Sequence, residues 1–141
     1  AIGVGRNAIE RAVEYANDRV VFDEPIGAHQ AVQHPLADAH SKVQAAKLLV
    51  QKASWLMDET EGTEDMKKTA ELSNMAKLRA SEAGHEATDV ALQTHGGNGF
   101  SRDYMIVEMW KGSRLGTVAP GSSQMMLNHI AEHTLGLPRS Y

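Results

Sequence analysis

Between Val32 and Met57 the apolar residues recur in steps of four and three without a break: Val32, Leu36, Ala39, Val43, Ala46, Val50, Ala53 and Met57. That alternation draws one narrow stripe along a helix. A strand cannot carry it, because strand side chains change face at every residue. A stripe sustained over about seven turns reads as the seam of an antiparallel bundle. Pro35 falls near the start of this helix, where a missing amide is tolerated.

The rest of the chain agrees with that seam. A first helix shows Ile2, Ile9, Val13, Ala16 and Val20 on one face, and it is expected to stop near Asp23-Glu24-Pro25, since proline disfavours helical geometry in the residue before it. A third helix opens at Thr63, an N-cap followed by Glu64 and Asp65. Its face of Ala76, Ala83, Ala87 and Val90, with Leu72 and Met75 nearby, is small enough for close helix packing. A shorter helix is expected from about Asp103 to Ser113, and a last one from Ser122 through Met125, Met126, Ile130 and Leu135 until Gly136 and Pro138. Alternating β-branched runs are few. The expected fold is therefore all-α, an antiparallel four-helix-bundle-like domain of three long and two short helices.

Composition removes several classes of chemistry. The chain has no cysteine, which excludes disulfides, thiolate zinc sites and cysteine nucleophiles. A net charge of −4 without a basic stripe gives no nucleic-acid footprint. No apolar run approaches the roughly 18 residues of a membrane span. The first residues, Ala1-Ile2-Gly3-Val4, read as already inside a helix, so residues 1–141 are expected to be one domain of a longer protein. The expected compartment is the cytoplasm, or the mitochondrial matrix in a eukaryote.

The chemistry-bearing stretches are short. Leu92-Gln93-Thr94-His95-Gly96-Gly97-Asn98-Gly99-Phe100 places three glycines in four residues at the end of the third helix. A helix stop needs only one, so a cofactor or partner surface is indicated. The loop 19–30 carries Arg19, Phe22 and Gln30. Arg19 suits a helix C-terminus, yet a guanidinium also binds phosphate bidentately and a phenyl ring lies against another ring. The methionines Met105, Met109, Met125 and Met126 read as adaptable core filling or as an acyl pocket. His129 and His133, four residues apart, lack a third metal ligand, and His29, His34 and His40 share no helical face. Asp58-Glu59-Thr60-Glu61 reads as a solvated loop, and Trp55 and Trp110 as packing or interface residues.

Taken together, these stretches resemble the C-terminal helical domain of the acyl-CoA dehydrogenases. The family carries an Arg-x-x-Phe-Gly…Gln loop, then Gln-x-x-Gly-Gly-x-Gly-Phe/Tyr, then a Glu-Gly-Thr/Ser-x-Glu/Gln segment opening the final helix. This chain has Arg19, Phe22 and Gln30, then Gln93 to Phe100 with Asp103-Tyr104, then Gly121-Ser122-Ser123-Gln124, in that order over nearly its whole length. The resemblance implies FAD shared between subunits. Arg19, Phe22, Gln30, Gln93, Gly96 and Gly97 would approach a neighbouring subunit's FAD, and Ser122 and Gln124 the chain's own. It also implies an acyl-CoA substrate oxidised to the 2,3-enoyl-CoA, a dimer or tetramer, and an electron-transfer acceptor. A diphosphate is suited by Arg19 and by backbone amides, and the helix start near Ser122 by an anion.

The departures concern the acyl end. The family's base removes the α-proton and most often stands just before Gly121, where this chain has Pro120. Ala119 replaces the family's tyrosine, Lys111-Gly112 its Arg-Asp pair, and Asp23 the loop glycine. Hence no catalytic residue is assigned within the chain. Three explanations stand: a glutamate upstream of Ala1, as some members place it; a base-free FAD-binding and oligomerisation subunit of a heteromeric enzyme; or a changed, non-catalytic role.

Overall fold

The computed structural model describes residues 1–60 and 66–140. Its helices are α1 (Ile2–Asp18), α2 (Gln30–Thr60), α3 (Met66–His95), α4 (Ile106–Val118) and α5 (Ser123–His129). A two-stranded hairpin, β1 (Val20–Val21) and β2 (Glu24–Pro25), joins α1 to α2. The expected all-α plan of three long and two short helices is borne out.

The long helix α3 is the spine, packed against α1, α2, α4 and α5. Contacts along it give the directions. Lys42 on α2 reaches Glu86 at 2.7 Å, and Trp110 and Ser113 of α4 meet Asp89 and His85. Both helices therefore run antiparallel to α3. In contrast, α1 runs alongside it in the same sense, with Gly5 against Gly84 and Tyr15 stacked on His95. A methyl added at Gly5 would lie 3.2 Å from the Gly84 Cα. Only hydrogen at both positions lets the backbones cross so closely.

The buried residues are mostly alanines. One cluster gathers Ile9, Ala39, Val43, Ala46, Ala80, Ala83 and Ala87, and a second Ala8, Ala12, Leu36, Ala91 and Ile106. The larger fully buried side chains, Leu78, Ile106 and Val43, each contribute about 1.5–3 kcal/mol by leaving water. The 4-3 seam of α2 is buried or partly buried through Ala53, but Met57 is 45% exposed.

Several boundaries differ from the sequence reading. Helix α1 ends at Asp18, well before Pro25, because the chain turns back on itself: Val20 pairs with Pro25 and Val21 with Glu24. Phe22 and Asp23 form the two-residue tip, both at positive φ (55° and 64°), the geometry of a type I′ hairpin turn. Val20 consequently lies outside α1, and both it and Val13 within the helix are exposed rather than part of the core face. Pro35 stands inside α2 rather than in its first turn, so the Ala31 carbonyl loses its main-chain donor there. Asp58, Glu59 and Thr60 belong to α2, not to a loop; Glu61 and the Thr63 cap with Glu64 and Asp65 lie outside the described residues.

The start of α4 is Ile106 rather than Asp103. Ser101 and Asp103 close a local turn through the Ser101 hydroxyl, and Met105 takes φ 60° before the helix begins. At its other end α4 passes Gly112 and Ser113 to reach Val118. After α5 the chain makes one wider turn, in which the Leu135 N–H reaches back to the Ile130 carbonyl, and Leu135 stays 66% exposed.

Candidate functional site

The residues singled out by sequence fall at two places on α3. At its C-terminal end the hairpin after α1 meets the glycine-rich turn. Arg19 caps α1: its N–H donates to Tyr15 O at 2.9 Å and its carbonyl accepts from Ile26 N at 2.8 Å. With its backbone fixed from both sides, the Arg19 side chain lines a cleft of about 400 Å³ together with Arg11, Tyr15, His95, Asn98 and Tyr104. Phe22 projects from the hairpin tip with 89% of its surface exposed. Gln30 opens α2 and is exposed.

Glycines in the turn 96–100 serve two separate ends. Gly96 has φ 56° and would meet nothing within 4 Å if given a Cβ; Gly97 is likewise open. Their backbones are bare on the outer side, and Gln93 and Gly96 border a shallow recess with Asp89, Leu92 and Phe100. Gly99 is different. It is buried, and a Cβ there would sit 2.8 Å from a Leu92 methyl and 3.1 Å from the His95 Cβ. Gly99 lets the turn fold back, whereas Gly96 and Gly97 leave room for something outside it.

Sequence reasoning missed the residue that joins these pieces. His95 is 4% exposed, stacked on Tyr15 with ring centroids 4.3 Å apart and edge-on to Tyr104 at 5.4 Å. Asn98 donates to the Tyr15 hydroxyl at 2.9 Å. His95 Nδ1 lies 2.8 Å from Ala91 O, and a carbonyl only accepts, so Nδ1 carries the proton. Burial holds this imidazole below its ordinary range; the Ala91 carbonyl opposes the shift and the Arg11 charge adds to it. Its only signal in the sequence was an aromatic-sized polar residue directly before the paired glycines.

The second place is the turn between α4 and α5. Ser122 is the N-cap of α5, its Oγ accepting from Met125 N at 3.3 Å, which leaves the hydroxyl proton to donate outward. Gln124 and Pro120 are exposed. No titratable side chain stands at 119–122. Lys77 of α3 reaches under the turn and donates to Gly116 O at 2.7 Å and to Gly121 O at 2.6 Å. The two places are far apart: Lys77 and Gly96 are separated by about 28 Å of helix rise. Arg19, Gln93, Gly96 and Gly97 thus gather at the C-terminal end of α3, and Ser122 and Gln124 near Lys77, towards the middle of the helix.

Other sequence candidates resolve differently. Met105 and Met109 line a largely apolar cleft of about 390 Å³ with Ala1, Val4, Gly112 and Gly116, but Met125 and Met126 belong to α5. Hence the four methionines do not share one pocket. Trp110 packs beside His85 and donates to Asp89 at 2.8 Å, while Trp55 is 58% exposed. His129 and His133 rings lie 4.5 Å apart, and among the described residues no group of three or more metal-ligating side chains is assembled. Among these residues no helix is long and apolar enough to cross a membrane.

The surfaces fit a flavin nucleotide in chemical kind. A guanidinium, an exposed phenyl ring and two open glycine backbones face outward at one end, and an outward hydroxyl and amide at the other. The family model for the C-terminal domain of acyl-CoA dehydrogenases matches residues 1–135. Over all 141 residues the chain is 48% identical to the acyl-CoA dehydrogenase FadE12 of Mycobacterium tuberculosis, of which it spans 35%. PigA, solved as its FAD complex, superposes with a TM-score of 0.86 at 25% identity, over 96% of this chain and 34% of PigA. A chain of the ChsE4–ChsE5 complex of Mycobacterium tuberculosis superposes with a TM-score of 0.85 at 28% identity, over 97% of this chain and 36% of that one. The chain therefore spans about a third of these relatives, and it belongs to the acyl-CoA dehydrogenase family, corresponding to its C-terminal helical domain.

Proposed function

We propose that residues 1–141 are the C-terminal domain of a longer FAD-dependent acyl-CoA dehydrogenase, one that oxidises an acyl-CoA to its 2,3-enoyl-CoA in the cytoplasm and passes electrons to a separate acceptor. The observation that carries this reading is the separation of two nucleotide-compatible edges along α3. That separation supports two cofactors, and hence neighbouring subunits, rather than one. At the first edge Arg19 would pair with a diphosphate, Phe22 would cover a ring, and Gln30, Gln93, Gly96 and Gly97 would meet the FAD of a neighbour. At the second, Ser122 and Gln124 would hydrogen-bond the FAD of their own subunit.

When bound, FAD supplies the hydride acceptor for the substrate's β-hydrogen. The α-proton must then leave to a base, and Pro120 has no group to receive it. In this reading the base is a carboxylate outside residues 1–141 of the same chain. The second reading is a base-free subunit that binds FAD edges beside a catalytic partner. It is favoured by the absence of a titratable side chain at 119–122 and by likeness to a chain of the two-component ChsE4–ChsE5 complex.

Mixing the full-length flavoprotein with a panel of acyl-CoA thioesters separates the two. The first reading expects bleaching of the flavin absorbance by at least one thioester. Bound FAD that none of them bleaches rules out a self-sufficient homo-oligomer, and recovery of bleaching on adding a related subunit establishes the heteromer.

A further inference from the structure

The turn from α4 to α5 is held by a side chain outside it. Helix α4 ends at Val118 and Ala119 is extended (φ −147°, ψ 153°), so the Gly116 carbonyl is one of the last carbonyls of the helix, which have no main-chain donor. The last main-chain bond of α4 is Ala119 N to Leu115 O at 2.8 Å. The Gly121 carbonyl lies before the Ser122 cap, whose own carbonyl serves Met126 N. The two carbonyls at the start and end of the turn therefore need a donor, and the Lys77 ammonium supplies both bonds, at 2.7 and 2.6 Å. Among the described residues no carboxylate pairs with Lys77, which is half-buried. Its charge is thus spent on the turn itself. Ser123 adds a weaker tie, its Oγ lying 3.4 Å from Thr117 O.

We propose that Lys77 is a positioning residue for the flavin: it braces the Gly116–Gly121 turn so that Ser122 and Gln124 are presented to the subunit's own cofactor. This rests on the flavin reading given above. The brace takes over the donors that the end of α4 lacks, so the turn depends on a side chain of α3. Charge-assisted bonds are about twice as strong as neutral ones, and two of them from one rigidly based ammonium fix both ends of the turn relative to α3. Loss of the ammonium frees the turn while leaving the helix contacts of α3 in place.

The test uses the full-length protein with Lys77→Met, a side chain of similar length and no donor. The expected result is FAD binding weakened by at least about tenfold, together with faster amide hydrogen exchange confined to residues 117–122. Lys77→Arg, which keeps two donors, covers the case in which the methionine variant does not fold. Unchanged FAD affinity in Lys77→Met overturns the proposal, as does faster exchange without any loss of affinity. A wild-type protein that purifies without flavin and takes up none strikes the flavin reading itself, and the positioning role with it.

Discussion

The C-terminus of α3 and the α4–α5 turn beside Lys77 are built from different materials. At the C-terminal end, the proposed flavin edge and the fold share a stretch of backbone: Gly99 is packed against Leu92 and His95, and two residues earlier Gly97 has open space where a Cβ would go. At the α4–α5 turn the ordering comes from side chains instead, from Lys77 reaching two carbonyls and Ser122 capping a helix. Backbone-built surfaces depend on residue size, whereas side-chain-built ones depend on donors and acceptors. Substitutions should therefore fail in opposite ways at the two ends.

The largest expected effect lies at the first end. Gly99→Ala places a methyl 2.8 Å from Leu92 Cδ1 and is expected to destabilise the domain by about 1–3 kcal/mol. Gly97→Ala, with open space around it, should change stability by no more than about 0.5 kcal/mol while lowering FAD retention. Thermal midpoints and flavin content of the two variants of the full-length protein read this directly. Equal destabilisation at both positions would erase the distinction between packed and open glycines.

Next in size is Arg19→Ala. The Arg19 backbone holds the start of the hairpin without its side chain, so stability should barely move and FAD retention should fall by about tenfold or more. Flavin content equal to wild type refutes the role given to Arg19. At the other end Ser122→Ala removes the oxygen that accepts from Met125 N, an expected loss of about 1 kcal/mol. If Ser122→Ala leaves the thermal midpoint unchanged while FAD is lost, the hydroxyl serves the cofactor alone.

The smallest effect is a pH dependence. His95 has its folded pKa lowered by burial, and His85 is lowered by burial with the Arg114 charge adding and Asp89 opposing. For both, the unfolded chain binds a proton more readily than the folded one. Their contribution is therefore fully present above an unfolded value of about 6.5 and is lost as the pH falls through the folded value. Stability should rise between about pH 5 and 7. His95→Asn keeps a donor for Ala91 O but removes the titration, so the midpoint difference between acid and neutral pH should narrow. An unchanged difference would assign the pH dependence to other groups.

How much of this was legible beforehand follows from which forces are local. The α2 seam, the alanine face of α3 and the stop at Gly96 are periodic or stereochemical signals, written in neighbouring residues, and they appear where the spacing places them. The hairpin at 20–25 was not legible, because two valines facing Glu24 and Pro25 make too short a pattern to outweigh a helix that already carried Val13 and Val20. The start of α4 was misplaced because the Ser101–Asp103 turn and the positive φ of Met105 competed with helical propensity. His95 and Lys77 were invisible as functional candidates. Each is a lone polar residue on a helix, and decisive partners stand far away in the chain: Gly116 and Gly121 for Lys77, Tyr15 for His95.

By itself, then, the sequence determined a helical bundle, a glycine-rich stop beside an arginine-bearing loop, and a proline where the family's base most often stands. Periodicity and backbone permissiveness depend on adjacent residues, so a linear string suffices to read them. Only the tertiary structure decided that the residues proposed for the cofactor divide between two separate places along α3 and that Lys77 supplies the donors that the end of α4 lacks. Those are relations between elements distant in sequence. They arise when packing fixes one helix against another, and no local pattern specifies them.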